Sequence, residues 1–334
     1  MPAYNRDLLF LYGENARAKI KDLGVALKKS PQLLKHTLKG LEKGGIVTAP
    51  HCIFDYSYFG QVLFRVYFKG AYVSEHDKAE IISKLHDNHY IVSIYELSGE
   101  YDLVLEVAAP NPSRFNKELK KIASIVPTLN NYKILLNVVT HIYPRLYLPT
   151  TEKLLEHYVN QEIIIGGDRG VTSFTKNEMG VMKVLLQHPK TRMSHLAKAT
   201  HLNIKTVTGI LKGLHQRRIV KGYKYIVDPE KMGVSRFRLF LKLHNLSLER
   251  ETQLLAFVMK TKEIVQVHKT VGDWDMEVDI ESLDKTRIRS LTIQMREQFK
   301  DLIENFNIVE FYQYYKKTNL PMHLFEQEVQ TTLV

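Results

Sequence analysis

The chain has 334 residues, of which 44% are hydrophobic and 25% charged, and its formal net charge is +11. This length is enough for two or more domains with separate cores. No apolar run approaches the ~20 residues of a membrane-spanning helix, and the N-terminus lacks the basic start and apolar stretch of a secretory signal. Cys52 is the single cysteine, which excludes disulfides within the chain and thiolate metal clusters. We therefore expect a cytoplasmic protein with no membrane partner, metal or cofactor.

Two ten-residue stretches of the chain are closely similar. SGEYDLVLEV at 98–107 and VGDWDMEVDI at 271–280 stand 173 positions apart, and the same offset aligns LKGL at 38–41 with LKGL at 211–214. Further apolar and glycine positions match at this offset without a net insertion. We therefore predict a tandem repeat of one unit. The two copies span about 4–143 and 177–316.

The first part of each unit has the pattern of three short helices followed by an apolar strand. In the first copy, Ser30 suits a helix N-cap and Pro31 the first helical position. Leu34 and Leu38 then follow at helical spacing. In the second copy, Asn203 occupies the equivalent cap position. This order of elements is typical of a winged helix-turn-helix.

The rest of each unit reads as strand, helix, strand, strand, helix, strand, with strands rich in Val, Ile, Tyr and Phe. We predict an α+β fold with two winged helix-turn-helix domains and two ferredoxin-like βαββαβ domains in tandem. The open face of each sheet needs a cover, and the other sheet is the simplest one. The predicted boundaries are 1–50 and 173–227 for the winged helix-turn-helix domains, 58–145 and 233–318 for the ferredoxin-like domains, 146–172 for a linker with a short helix and strand, and 319–334 for a C-terminal tail.

Positive charge is concentrated in the two predicted winged helix-turn-helix domains. Residues 1–50 carry a net charge of +5 and residues 173–227 carry +10. Since the total is +11, the rest of the chain carries −4. Clustered Lys and Arg neutralise phosphates and dominate affinity for DNA. We therefore expect double-stranded DNA as the partner.

The third helix of each predicted winged helix-turn-helix is the candidate DNA-reading element, because its polar residues lie opposite the apolar stripe. Gln can read adenine, and Lys can read guanine or contact phosphate. For any single position, an ordinary solvent-facing role is an equal alternative. The candidate DNA-binding residues are Ser30, Gln32, Lys35, His36 and Lys39 in the first copy and Lys205, Thr206, Thr208, Lys212, Arg217 and Arg218 in the second.

A glycine–acid–aromatic–aspartate motif joins the second and third strands of each predicted sheet, at 99–102 and 272–275. One interpretation is a hairpin turn, in which glycine supplies a positive φ and the acids cap backbone amides. The other is a site where the carboxylates and amides hold an amino acid. The candidate effector-binding residues are Gly99, Glu100, Asp102, Gly272, Asp273 and Asp275.

The order of these motifs resembles the Lrp/AsnC (feast/famine) transcriptional regulators. The stretches SPQLLKHTLKGLEKGGIV at 30–47 and NIKTVTGILKGLHQRRIV at 203–220 look like that family's recognition helix, and the two glycine-acid motifs look like its effector-domain turn. The resemblance implies a DNA-binding domain followed by a RAM (regulation of amino acid metabolism) domain that pairs through its sheet. It also implies that small effectors, commonly amino acids, sit near the turn. The matching residues here are Gly99, Asp102, Gly272 and Asp275.

This chain departs from the family pattern because two units are fused and because Glu100 stands where Asp is commoner. We predict a DNA-binding transcriptional regulator, not an enzyme, that acts as a homodimer or an internal pseudo-dimer. One alternative is a siroheme decarboxylase-like enzyme, since those enzymes resemble Lrp/AsnC proteins and are sometimes fused. The other is an architectural DNA-binding protein. His141, His244 and His268 are scattered along predicted strands, so no catalytic group is apparent.

Overall fold

Each half of the chain folds into the same order of helices and strands. The computed structural model describes residues 3–72, 74–125, 127–228, 230–244 and 247–326, so the end of the predicted tail, 327–334, lies outside the described residues. The first half contains α1 (Ala3–Glu14), α2 (Ile20–Leu27), α3 (Pro31–Lys43), β1 (Val47–Phe54), β2 (Val62–Phe68), α4 (Glu75–His86), β3 (Ile91–Ser98), β4 (Leu103–Ala109), α5 (Pro112–Ala123) and β5 (Tyr132–Ile142). The linker contains α6 (Glu152–Tyr158) and β6 (Ile163–Gly166). The second half contains α7 (Lys176–Gln187), α8 (Met193–Ala199), α9 (Ile204–Gln216), β7 (Val220–Val227), β8 (Ser235–Leu243), α10 (Leu248–Lys260), β9 (Ile264–Val271), β10 (Met276–Ser282), α11 (Lys285–Gln298) and β11 (Ile303–Lys317).

Side-chain caps set where the helices of the two helical units begin. The Ser30 hydroxyl accepts a hydrogen bond from the backbone N–H of Leu33 and starts α3. The Asn203 side chain does the same for α9, accepting from the backbone N–H of Thr206 at 2.8 Å. Thr175 and Glu178 form a reciprocal capping box at the start of α7. None of the helices within the described ranges combines the length and the apolar character that crossing a membrane requires.

The two helical units, which we call the heads (α1–α3 and α7–α9), share one hydrophobic core. Strands β1 and β7 pair antiparallel in a two-stranded sheet, here called the wing ribbon. Leu8 and Leu34 of the first head and Leu185 and Leu214 of the second belong to the same buried cluster. Strand β1 runs to Phe54, four residues past the predicted end of the first domain at residue 50, and so continues toward the sheet domain. The heads therefore form one body on a common ribbon.

The two ferredoxin-like sheets join edge to edge into a closed barrel. Its eight strands follow the order β2-β4-β3-β11-β8-β10-β9-β5, and β5 pairs with β2 to close the ring. At the two junctions between repeats, Leu97 pairs with Phe311 and Thr140 pairs with His268. Closure removes the exposed edges that two separate sheets would leave. The two repeats thus cover each other's open sheet faces, and the edge strands of each repeat also pair with the edge strands of the other.

The outer face of the barrel is apolar and lies under helices. Phe64, Leu105 and Leu119 belong to the cluster beneath α4 and α5, and Val278 and Leu291 to the cluster beneath α10 and α11. With the apolar side chains of the strands facing outward, the alternating polar ones face the barrel interior. This arrangement confirms the predicted α+β fold of tandem winged helix-turn-helix and ferredoxin-like domains.

The linker is attached to both the barrel and the first head. Strand β6 pairs with β5, as the ninth strand of the sheet. The Asp7 carboxylate of α1 accepts hydrogen bonds from the Thr150 backbone N–H at 2.6 Å and the Thr151 hydroxyl at 2.7 Å. These contacts fix the segment before α6 against the first head.

Candidate functional site

The third helix of each head, α3 or α9, presents its polar side to solvent. The apolar stripe of each helix is buried in the common core of the heads. The remaining positions therefore face outward, as the sequence predicted for a DNA-reading helix. Gln32, Lys35, His36, Lys39, Lys205, Thr208 and Lys212 are exposed, and Thr206 is half-buried.

The lysines on this polar side are not neutralised by neighbouring carboxylates. Among the described residues, the ion pairs of the heads involve other cations, such as Arg217, which contacts Glu178 of α7. Unpaired ammonium groups keep their full charge available for phosphates. The lysines concerned are Lys35, Lys39, Lys205 and Lys212.

Two other candidate DNA-binding residues lie at helix ends. Ser30 acts through its cap at the start of α3, with a hydrogen bond of 3.3 Å from the Leu33 backbone N–H to its Oγ. Arg218, two residues after the end of α9, is exposed and has a φ of 57°, in the left-handed region. Ser30 therefore fixes the N-terminus of the candidate reading helix α3. Arg218 places a cation near the C-terminus of the other candidate reading helix, α9.

The aspartates of the two glycine-acid motifs are engaged by the chain itself. Asp102 accepts hydrogen bonds from the backbone N–H groups of Gly70 and Ala71. Asp275 accepts from the backbone N–H of Leu243 at 2.8 Å and lies 3.2 Å from the Lys242 ammonium. Each carboxylate thus ties the turn between two strands to the end of a neighbouring strand.

The other acids of these motifs are paired with lysines. Glu100 Oε1 lies 2.5 Å from Lys69 Nζ, and Asp273 Oδ2 lies 2.8 Å from Lys133 Nζ. Gly272 has a φ of 149°, and a Cβ there would lie 2.7 Å from Leu135 Cδ2. The turn interpretation explains all these contacts in both motifs. Binding of an effector therefore stays a prediction for the candidate residues Gly99, Glu100, Asp102, Gly272, Asp273 and Asp275.

Aromatic rings fill the barrel at the end where the two turns lie. Tyr101 and Trp274, one from each turn, pack around Phe240, with ring centroids 6.0 and 5.7 Å from it. Tyr67 lies 5.1 Å from Tyr101 in the same cluster. This end of the barrel is therefore closed.

Equivalent ion pairs from the two repeats occupy the barrel interior. Arg65 Nε lies 2.8 Å from Glu106 Oε1, and 173 positions later Arg238 Nε lies 2.7 Å from Asp279 Oδ1. The Arg238 guanidinium also donates through Nη1 to the hydroxyl of Tyr67 at 2.8 Å. Burial opposes ionisation of the acids, yet Arg65 and Arg238 hold the pKa values of Glu106 and Asp279 below their usual range. Both acids are therefore charged at neutral pH.

His268 differs from its counterpart in the first repeat, which is Tyr95, 173 positions earlier. Arg65 Nη2 lies 2.8 Å from His268 Nδ1, and the Thr140 hydroxyl lies 2.9 Å from the same nitrogen. Burial, together with the charges of Arg65 and Arg238, holds the pKa of His268 well below its usual value. Since a guanidinium only donates, Nδ1 of the neutral ring accepts, and the proton sits on Nε2. No described residue bonds to that Nε2.

A cavity of about 70 Å³ lies at the other end of the barrel, beneath the wing ribbon. It is lined by the first part of β3 and β9, whereas the glycine-acid turns follow the last residues of those strands. Charged and polar groups from the barrel, the wing ribbon and the segment after β5 converge on it. They are His51, Arg65, Glu106, Thr140, Arg145, Lys224, Arg236, Gln266, His268, Tyr314, Lys317, Thr318 and Asn319.

His51 of the wing ribbon makes stability depend on pH. Burial, together with the positive charge of Lys317, lowers the pKa of His51 to about 3. In the unfolded chain the imidazole binds a proton near pH 6.5. Its contribution to stability is therefore complete above that pH and is lost progressively as the pH falls toward 3.

We expect the free energy of unfolding to fall by about 2 kcal/mol through His51 between pH 7 and pH 5. Urea unfolding of the wild type and of His51→Gln at both pH values measures this contribution, because other histidines contribute equally to both proteins. The pH dependence of His51→Gln should be smaller by that amount. An identical pH dependence in the two proteins would show that the pKa of His51 is the same in the folded and the unfolded chain.

Curated relatives of this chain are named as HTH-type transcriptional regulators. The HTH-type transcriptional regulator FL11 of Pyrococcus horikoshii is 27% identical over 130 residues, which is 39% of this chain and 80% of the relative. The HTH-type transcriptional regulator Ptr1 of Methanocaldococcus jannaschii is 28% identical over 97 residues, 29% of this chain and 64% of the relative. The resemblance to Lrp/AsnC regulators is confirmed. No family model matches the chain.

The tandem arrangement of this Lrp/AsnC-like chain also occurs in a solved structure. The crystal structure of the siroheme decarboxylase NirDL matches 97% of this chain and 97% of that chain, with a TM-score of 0.55 and 12% identity. At this identity the match shows a shared fold alone. Within the described part of the Lrp/AsnC-like chain, no group of three or more His, Cys, Asp or Glu side chains is placed to hold a metal ion.

Proposed function

We propose that this chain is a DNA-binding transcriptional regulator of the Lrp/AsnC type that acts as an internal pseudo-dimer. Two Lrp/AsnC units, which pair as separate chains in the family pattern, are here closed into one barrel by pairing between repeats. The two heads are joined by the wing ribbon and share a core. One chain thus offers two reading helices in a fixed relation to each other.

The observation that carries this proposal is the unpaired cationic side of α3 and α9. Lys35 and Lys39 on α3 and Lys205 and Lys212 on α9 are exposed and have no carboxylate partner in the described part of the chain. The barrel interior, by contrast, holds its charges in ion pairs such as Arg65–Glu106, and the chain outside residues 1–50 and 173–227 carries a net charge of −4. Net positive charge therefore lies on the heads, where DNA would bind. The names of the curated relatives support the same function.

The two reading helices differ, so we propose that they prefer different half-sites. Gln32 lies on α3, where adenine readout is available, whereas α9 presents Thr206 and Thr208 between two lysines. An asymmetric operator follows from this difference. We place the regulator in the cytoplasm and propose that a small effector modulates it.

The fold shared with the siroheme decarboxylase NirDL makes an enzyme the second candidate. The cavity beneath the wing ribbon, with its arginines and His268, is the part of the chain that such chemistry would use. Its volume of about 70 Å³ is well below the ~300–1,000 Å³ of pockets for drug-sized ligands. A tetrapyrrole would require the wing ribbon to move away from the barrel, so the regulator remains our proposal. Incubation of the chain with siroheme, followed by mass spectrometry, distinguishes the enzyme from the regulator. Loss of carboxyl groups from siroheme would support the enzyme.

Selection of bound fragments from the DNA of the source organism tests the regulator. The full chain is mixed with sheared genomic DNA with and without added amino acids, and retained fragments are sequenced. We expect enrichment of a small set of fragments that share an asymmetric motif. Retention of fragments in proportion to their abundance would support an architectural DNA-binding protein instead.

A further inference from the structure

We propose that the cavity beneath the wing ribbon is a binding site for a small monocarboxylate, which acts as an effector of DNA binding. The site differs from the two glycine-acid turns, which lie at the opposite end of the barrel and whose acids bond to the chain itself. The effector role rests on the proposed function, but the binding site does not.

The charges around the cavity leave one cation without a counter-ion. Four of its five cationic side chains are each paired with a carboxylate: Arg65 with Glu106, Arg145 with Glu281, Arg236 with Asp279 and Lys224 with Glu14. The fifth, Lys317, contacts the Tyr314 hydroxyl at 3.1 Å and has no carboxylate within ion-pair distance among the described residues. A bound anion would supply the missing negative charge.

His268 supplies a second donor to the same cavity. Its Nδ1 is occupied by Arg65 and Thr140, so its N–H points from Nε2, and this buried group has no partner within the described chain. A buried donor without an acceptor is unfavourable and marks a place where a water or ligand oxygen is held. A carboxylate has two oxygens and can accept from the imidazole and the Lys317 ammonium together.

The size of the cavity selects a very small ligand. An apolar cavity of ~150 Å³ holds benzene, with its six carbon atoms. By proportion, about 70 Å³ suits roughly three heavy atoms. Acetate, with four heavy atoms and one negative charge, is close to this size. The ligand class is therefore a small monocarboxylate. While the wing ribbon stays against the barrel, the cavity is too small for larger amino acids.

The position of the cavity connects such a ligand to both heads. His51 of β1 and Lys224 of β7 pair across the wing ribbon, and both line the cavity. Strand β1 leads into the first head and β7 into the second. A ligand that contacts the ribbon and the barrel together would favour one placement of the heads, and so change DNA affinity.

Calorimetric titration of the full chain with sodium acetate tests the site, with sodium chloride as the control for ionic strength. We expect one saturable site per chain for acetate and none for chloride. Lys317→Met should weaken acetate binding about tenfold or more, because it removes a charged hydrogen bond. Lys317→Arg should retain most of the affinity. The matched control Lys117→Met removes an exposed lysine from α5 and should bind acetate as the wild type does.

Thermal unfolding without acetate checks that the Lys317 variants are folded. Absence of saturable acetate binding to the wild type, or equal affinity of the wild type and Lys317→Met, would overturn the site. The effect on DNA is measured separately as the affinity for a duplex at constant ionic strength, with acetate or chloride. Acetate binding without any change in DNA affinity would keep the site and overturn its effector role. Failure to bind DNA under either salt would instead count against the proposed function.

Discussion

Charge reversal to Glu at Lys35, Lys39, Lys205 and Lys212 is expected to weaken DNA binding roughly 1,000-fold at physiological salt. The estimate assumes that each ammonium contributes only ~1 kcal/mol through a phosphate contact. The dependence of the logarithm of affinity on the logarithm of salt concentration should also become shallower, by about 3.6 in slope for four lost contacts. Fluorescence anisotropy with a labelled duplex over a salt series measures both quantities.

A matched control separates this local effect from a change in net charge. Lys117 and Lys120 on α5, Lys260 at the end of α10 and nearby Lys262 are also exposed. Reversing these four changes the net charge equally, but on the barrel, where screening at ~0.15 M salt limits the effect on the heads. If both quadruple variants lose affinity equally, α3 and α9 are not the DNA-binding elements.

Arg238→Met is expected to lower the free energy of unfolding by about 3 kcal/mol, the lower end for a broken buried ion pair, because the buried Asp279 then keeps only its contact with Arg236. The Arg238 guanidinium makes two contacts with Asp279, at 2.7 and 3.0 Å, and donates to the hydroxyls of Tyr67 and Tyr95. Arg238 is 1% exposed and Asp279 fully buried, so water cannot replace these contacts. Urea unfolding followed by the fluorescence of Trp274, the single tryptophan, reports on the barrel.

Two further variants serve as controls for Arg238→Met. The double variant Arg238→Met, Asp279→Leu removes both charges and should recover part of the lost stability, since Arg236 then keeps only Glu281 as its partner. Arg250→Met breaks an exposed pair, Arg250–Asp301, and should leave unfolding nearly unchanged. If Arg238→Met unfolds at the same urea concentration as the wild type, the acids of the barrel are held by something other than Arg238.

The architecture of the heads follows from local sequence signals. Ser30 and Asn203 carry cap preferences that act within one turn of helix, and the apolar spacing around Leu34 identifies the buried side. The 173-residue offset then transfers each assignment from one repeat to the other. Predictions of this kind succeed because they depend on contacts close in sequence.

The closure of the barrel depends on contacts that are distant in sequence. Leu97 pairs with Phe311 and Thr140 with His268 through backbone groups, which carry no residue-specific signal. The alternation of Arg236, Arg238 and apolar residues in β8 is compatible with a polar face toward water or toward a closed interior.

The cavity beneath the wing ribbon could not be predicted from the sequence for the same reason. His268 has no ligand motif around it, and its partners come from other strands. Only the 173-residue equivalence of the Arg65–Glu106 and Arg238–Asp279 pairs was available as a signal.

Specific DNA binding by two joined heads is the central claim, and a ratio of affinities tests it most directly. A fragment selected from the source DNA and a shuffled duplex of the same composition are titrated with the full chain at the same salt concentration. We predict that the selected fragment binds at least ~1,000-fold more tightly, as specific regulators do. Equal affinities for the two duplexes would contradict the claim.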